Sequence, residues 1–166
     1  MKLTSIDYAQ LLQYVAQKFH MAMLNKTQIN KILFIVYGVY YAKEGKHLFC
    51  DDTPKAWPFG PVFPRVYKKI DTSEIVNGFS DEKIKEFKKD DRLLVFIRKI
   101  VDKLYDYSAM SLTRWSHEEG SPWYNTIYET DEHGDVISQN KWNTPILETE
   151  IKTYFDNPSN YFNVEY

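Results

Sequence analysis

The sequence predicts a mainly α protein: a compact multi-helix single domain over residues 1–166, with short extended or hairpin segments. Three observations predict it. Tyr8, Leu11, Leu12, Val15 and Phe19 recur at helical steps of three and four. An apolar run over residues 32–42, between Lys31 and Lys43, is too short to cross a bilayer and so reads as a central core helix. The stretch Trp57-Pro58-Phe59-Gly60-Pro61-Val62-Phe63-Pro64 carries three prolines and a glycine, which forbids regular helix there.

Thr4 with Asp7 three positions on forms a capping box, in which hydroxyl and carboxylate each satisfy an orphan amide, and starts the first helix near Ser5. Thr27 is placed to cap a second helix reaching about Ala42. Ile29, Ile32, Leu33, Val36, Val39 and Tyr40 share one face of it, and Ile35 and Tyr37 carry apolar character to the other side. Gly45 is positioned to end it in a left-handed cap. Leu48 and Phe49 suit a short strand or extended turn, and Asp51-Asp52 reads as a solvated acidic turn.

Gly60-Pro61 signals a turn. Pro64 suits the first position of a short helix over 64–70, where its missing amide costs nothing, with Val66, Tyr67 and Ile70 facing inward. Residues 71–80 form a polar loop. Ser80 followed by Asp81 and Glu82 opens the next helix, the acids complementing its positive end. Its stripe of Ile84, Phe87, Leu94, Ile97, Val101 and Leu104 is interrupted at Asp90-Asp91, so the pattern fits one helix, or two with Asp90 as the second cap. Ser108 caps a helix over 109–118, Gly120-Ser121-Pro122 breaks it, and 123–128 makes a last turn. Residues 131–143 are polar, with a turn at His133-Gly134-Asp135. A short helix over 148–155 stops at Asn157-Pro158, and the aromatic tail 159–166 is expected to dock.

Composition excludes several classes. With 43% hydrophobic and 27% charged residues the chain is not disordered, collagenous or low-complexity. Aromatics reach 16%, which suits an aromatic core or an interface. The single cysteine, Cys50, rules out an internal disulfide, and with no leader-like pattern at the start a cytoplasmic, non-membrane protein is expected. Charge is uneven: residues 1–70 carry a net +6, residues 118–166 a net −8. The two ends either neutralise each other in the fold or orient a partner. A pI near 6.1 with scattered lysines argues against a nucleic-acid site.

Catalytic patterns are missing. The six glycines fall in no phosphate-binding spacing, His117-Glu118 lacks the second histidine of a zinc-protease helix, and no serine sits in a nucleophile elbow. Cys50 with His47 is a weak zinc pattern. Cys50, Asp51 and His117 are the residues an enzyme would have to use. No enzyme, cofactor or metal is expected.

Two blocks do stand out. The first runs from Gln28-Ile29-Asn30-Lys31-Ile32-Leu33 through Gly45-Lys46-His47-Leu48-Phe49 to Ala56-Trp57 and Gly60-Pro61-Val62-Phe63-Pro64-Arg65-Val66-Tyr67. The second is Ser111-Leu112, His117 and Ser121-Pro122-Trp123. Together, over roughly residues 5–155, they resemble the Panacea-domain family, which includes SocA-like antitoxins and phage-associated proteins. Ser116 stands where the family has threonine before His117, Ser111-Leu112 inverts the usual order or shifts it by a residue, and Pro58 follows Trp57 where the family often has a polar or basic residue.

The resemblance implies a mostly helical domain and a non-catalytic antitoxin that blocks a cognate protein toxin by direct contact. Its alternatives are an adaptor delivering the toxin or another target to a protease, or a stand-alone prophage-associated protein. Interfaces depend on a few aromatic anchors. Trp57, Phe59, Phe63, Tyr67, His117 and Trp123 are therefore the candidates for partner contact, and equally for scaffold. Gly60, Pro61 and Pro64 are candidates for a purely geometric role.

Overall fold

Helix α2 (Lys26–Glu44) is the axis around which the other elements pack. Every residue from Ile29 to Tyr40 on it is buried, as its all-round apolar character requires. The computed structural model describes residues 1–166, and the fold is mainly α. The other helices are α1 (Ser5–His20), α3 (Pro64–Lys69), α4 (Asp81–Phe87), α5 (Asp91–Leu104), α6 (Ala109–Ser116), α7 (Pro122–Ile127) and α8 (Glu148–Tyr154), followed by a 3-10 turn at Pro158–Tyr161. A three-stranded antiparallel sheet has the order β2 (Gly60–Val62), β1 (Lys55–Trp57), β5 (Thr144–Pro145). Strands β3 (Tyr128–Thr130) and β4 (Val136–Gln139) form a separate hairpin.

The Thr4/Asp7 capping box opens α1, with the Thr4 amide donating to Asp7 Oδ2 at 2.8 Å. The cap of α2 is Asn25, two residues before the expected Thr27. Asn25 and Gln28 exchange amide hydrogen bonds at 2.9 and 2.8 Å, a reciprocal pair that Thr27 cannot match. Three residues beyond Thr27 lies Asn30, whose side chain is committed elsewhere. Gly45 ends α2 in the left-handed conformation. The α1–α2 connection is closed by Gln13, which donates to Leu24 O at 2.9 Å and accepts from its amide at 2.8 Å, all in the interior. Asp90 caps α5 through the Leu93 amide, which makes α4 and α5 two helices.

Several expectations are corrected. Of the two alternatives for residues 48–49, the extended turn holds and the strand does not; Phe49 turns in against Tyr8, Tyr37 and Phe63. The hairpin turn lies at Pro58-Phe59, and Gly60 and Pro61 already belong to the returning strand. Tyr67 faces outward at 38% exposure, because Val66 and Ile70 fill the inner side of the short α3. Asp51 and Asp52 are not a free acidic turn. Asp51 accepts from the Ser5 amide and hydroxyl, both at 2.8 Å, and pairs with Arg65. Asp52 accepts from the Arg65 and Val66 amides at 2.8 and 3.2 Å, so it caps α3 from a distance. The turn at His133-Gly134-Asp135 joins two strands, β3 and β4, whose residues are nearly all exposed and carry no apolar alternation to mark them.

A single cluster of 37 buried residues extends from Tyr8 to the docked tail at Tyr161 and Val164. Within it Gly38 lets α2 and the Phe155 ring, at the end of α8, approach closely. A Cβ at Gly38 would overlap the ring and sit 2.8 Å from Phe155 Cγ. Gly38→Ala is therefore expected to lower stability by about 1–3 kcal/mol in urea denaturation, despite alanine's better helix propensity. Adding Phe155→Leu recovers part of that loss.

Candidate functional site

The two sequence blocks converge where hairpin β1–β2 lies across α2 and meets the end of α6 and the start of α7. Two polar residues of α2 hold the hairpin. Asn30, fully buried, donates to Lys26 O at 2.9 Å and accepts from the Phe63 amide at 2.9 Å. Lys31 is 1% exposed, and its Nζ donates to Pro61 O at 3.1 Å. No carboxylate pairs with it, and burial pushes the amine down to about 7. Gly60, at φ +110°, fits over this amine. A Cβ there would collide with Ser116 Oγ and come within 2.8 Å of Lys31 Cε. The glycine is thus required both by its dihedral and by the approach of backbone to side chain.

The second block clamps the first. Ser121 caps α7 through the Tyr124 amide and donates to Ser116 O at 2.8 Å. Trp123 stacks on His117 with centroids 3.8 Å apart and planes at 9°, and its Nε1 donates to Trp57 O at 2.7 Å. His117 Nε2 is buried without a hydrogen-bond partner. Burial, and then the neighbouring Lys31 amine, hold this imidazole below the ordinary histidine range. The Trp57 indole in turn donates to Asn143 Oδ1 at 3.0 Å, beside strand β5.

The structure therefore divides the candidate residues. Phe63 and Trp123 are buried, Phe63 edge-on to Tyr37 and Phe49, and His117 is half-buried beneath Trp123. Pro61 supplies a carbonyl to Lys31, and Pro64 occupies the first turn of α3. Phe59 stands at the hairpin tip, 69% exposed. Tyr67 packs edge-on against Trp57 at 5.2 Å, under the Lys26 ammonium, and these three line the outer side. Asn30, Lys31, Trp142 and Asn143 were not among the candidates. A lysine inside an apolar helix and an isolated tryptophan in a polar stretch were the available signals.

Cys50 is exposed, and His47 is occupied on both nitrogens, by Tyr37 Oη at 3.0 Å and Glu148 at 2.8 Å. Ser116 donates its hydroxyl to Thr113 O at 2.8 Å. No group of three or more His, Cys, Asp and Glu side chains is arranged to hold a metal ion, and no helix is long and apolar enough to cross a membrane. The arrangement is suited to bracing a hairpin and presenting its outer edge.

The Lys31 amine titrates near 10.5 in the open chain and near 7 in the fold, so between these values the unfolded chain binds more protons and stability rises with pH. Lys31→Met keeps the bulk and removes the charge. It is expected to stabilise the protein most below about pH 7, with the gain shrinking steadily towards pH 10.5. Thermal melts across that range check it; a pH-independent difference would contradict it.

The model of the antitoxin SocA-like, Panacea domain matches residues 29–124. That span begins at Ile29, the first buried residue of α2, includes Lys31, the hairpin, His117 and Trp123, and leaves α1, β3–β4 and α8 outside. No curated protein and no solved structure matches the chain at a significant level. With more than half its length inside that match, the chain belongs to the SocA-like antitoxin, Panacea-domain family.

Proposed function

We propose that this protein is a non-catalytic cytoplasmic antitoxin, a single domain over residues 1–166, that neutralises a cognate protein toxin by direct contact. Family membership supports an antitoxin-like role. The observation that carries the contact reading is Phe59. A large apolar ring is held in solvent at the tip of a hairpin that Asn30, Lys31 and Trp123 brace from below. A braced tip loses little entropy when a partner covers it, and the ring then leaves water. Trp57 and Tyr67 extend the same aromatic edge. Neutralisation by burial needs no catalytic group, in keeping with the missing catalytic patterns.

The test is growth of a bacterial host expressing the adjacent reading frame, with and without this protein. Growth restored only by co-expression, with toxin levels unchanged, is the expected result; falling toxin levels would transfer the reading to a proteolytic adaptor. Phe59→Ala is expected to leave stability within about 0.5 kcal/mol while weakening toxin binding by about 2 kcal/mol, roughly 30-fold, in calorimetry. Trp123→Ala, by contrast, should cost about 3–5 kcal/mol of stability.

A further inference from the structure

Beside the braced hairpin runs an open groove of about 720 Å³. Trp57 and Trp142 line it, together with Lys55 of β1 and Arg65, Lys68 and Lys69 of α3. Arg65 is paired with Asp51 at 3.3 Å, whereas Lys55, Lys68 and Lys69 have no carboxylate partner. Asp52 is the one acid on the wall, and its carboxylate is spent on the Arg65 and Val66 amides. The lining thus combines cationic side chains with two indoles. It continues through Pro58 to Phe59 at the hairpin tip.

We propose that this groove receives an acidic segment of the toxin, its carboxylates meeting Lys55, Lys68 and Lys69 and an apolar side chain lying against the indoles of Trp57 and Trp142. The inference rests on the antitoxin reading and adds the chemistry of the partner. Charge selects this occupant. Three unpaired ammonium groups within one groove favour an anionic ligand and speed its encounter. A long phosphate backbone gains affinity by summing many contacts. Here the chain carries a net −2 overall, and the exposed acids Glu129, Glu132 and Asp135 lie on the hairpin that leads into Trp142. A short run of carboxylates needs only the groove's own three ammonium groups.

The experiment measures fluorescence anisotropy of a labelled oligoglutamate peptide on the intact protein, with a labelled thymidine oligonucleotide alongside. Two triple variants are compared: Lys55→Glu/Lys68→Glu/Lys69→Glu in the groove, and Lys85→Glu/Lys88→Glu/Lys103→Glu outside it. The expected result is salt-sensitive peptide binding that falls at least about tenfold in the groove variant only, with toxin neutralisation lost in parallel. If the reversed charges prevent folding, as a melting curve reports, Lys55→Gln/Lys68→Gln/Lys69→Gln replaces them. Equal losses in both triples, binding of the oligonucleotide alone, or full neutralisation by the folded groove variant would each overturn the inference. Wild-type protein that neutralises no toxin but binds the peptide in the groove would sink the antitoxin reading and leave the groove's preference for acidic chains standing.

Discussion

Two polar side chains inside an otherwise apolar helix set the geometry of everything around them. Asn30 and Lys31 lie on the most buried stretch of α2, where unsatisfied donors and acceptors are costly. Both meet their need on one short hairpin, Asn30 at the Phe63 amide and Lys31 at the Pro61 carbonyl. Strands of three residues have too little side-chain pattern to fix their own register. Here the two-residue turn at Pro58-Phe59 pairs the strands, and the bonds from Lys31 to Pro61 O and from the Phe63 amide to Asn30 fix the alignment of β2 on α2 from beneath. Gly60 is the steric counterpart of that alignment, and Trp123, donating to Trp57 O, closes it from the side. The exposed aromatic edge and the cationic groove both inherit their positions from this anchoring.

Much of the fold was legible because its signals are local. The Thr4/Asp7 box, the left-handed Gly45, Asp90 as a cap and the proline-led α3 each follow from a few neighbouring residues. What was not legible depends on partners distant in sequence. Thr27 looks like a helix cap until Asn30 is seen to be committed to Phe63. Asp51-Asp52 looks like a solvated turn until Ser5, Arg65 and Val66 arrive at its carboxylates. Hairpin β3–β4 is held by backbone pairing and by Asp131 accepting from the His133 and Asp135 amides, with little apolar burial to betray it.

The site shows the same division. The aromatic residues of the two blocks announce themselves by type, but type does not tell inside from outside. Phe59 and Phe63 are four positions apart in one proline-rich stretch, one in solvent and the other in the core. Their difference is created by where the chain turns, at Pro58-Phe59 and not at Gly60-Pro61. Lys31 stands in the first block, but nothing local marks its amine as buried, because lysines on helices are ordinarily solvated. Trp142 joins the groove through its stacking on Trp123 and through strand β5, which borders β1 across a long separation in sequence.

The sealed amine also gives the protein an internal gauge of motion. Solvated lysines are accessible but largely protonated near neutral pH, and so react slowly with acylating reagents. Lys31 has the opposite combination: burial brings its amine down to about 7, so far more of it is uncharged near neutrality than in a solvated lysine, yet it is shut beneath Gly60 and Pro61. A reagent can meet it only when the hairpin lifts from α2. The rate at which this one nitrogen is acylated is therefore a readout of how often that lid opens, separable from global unfolding because the helical core need not come apart for it to occur.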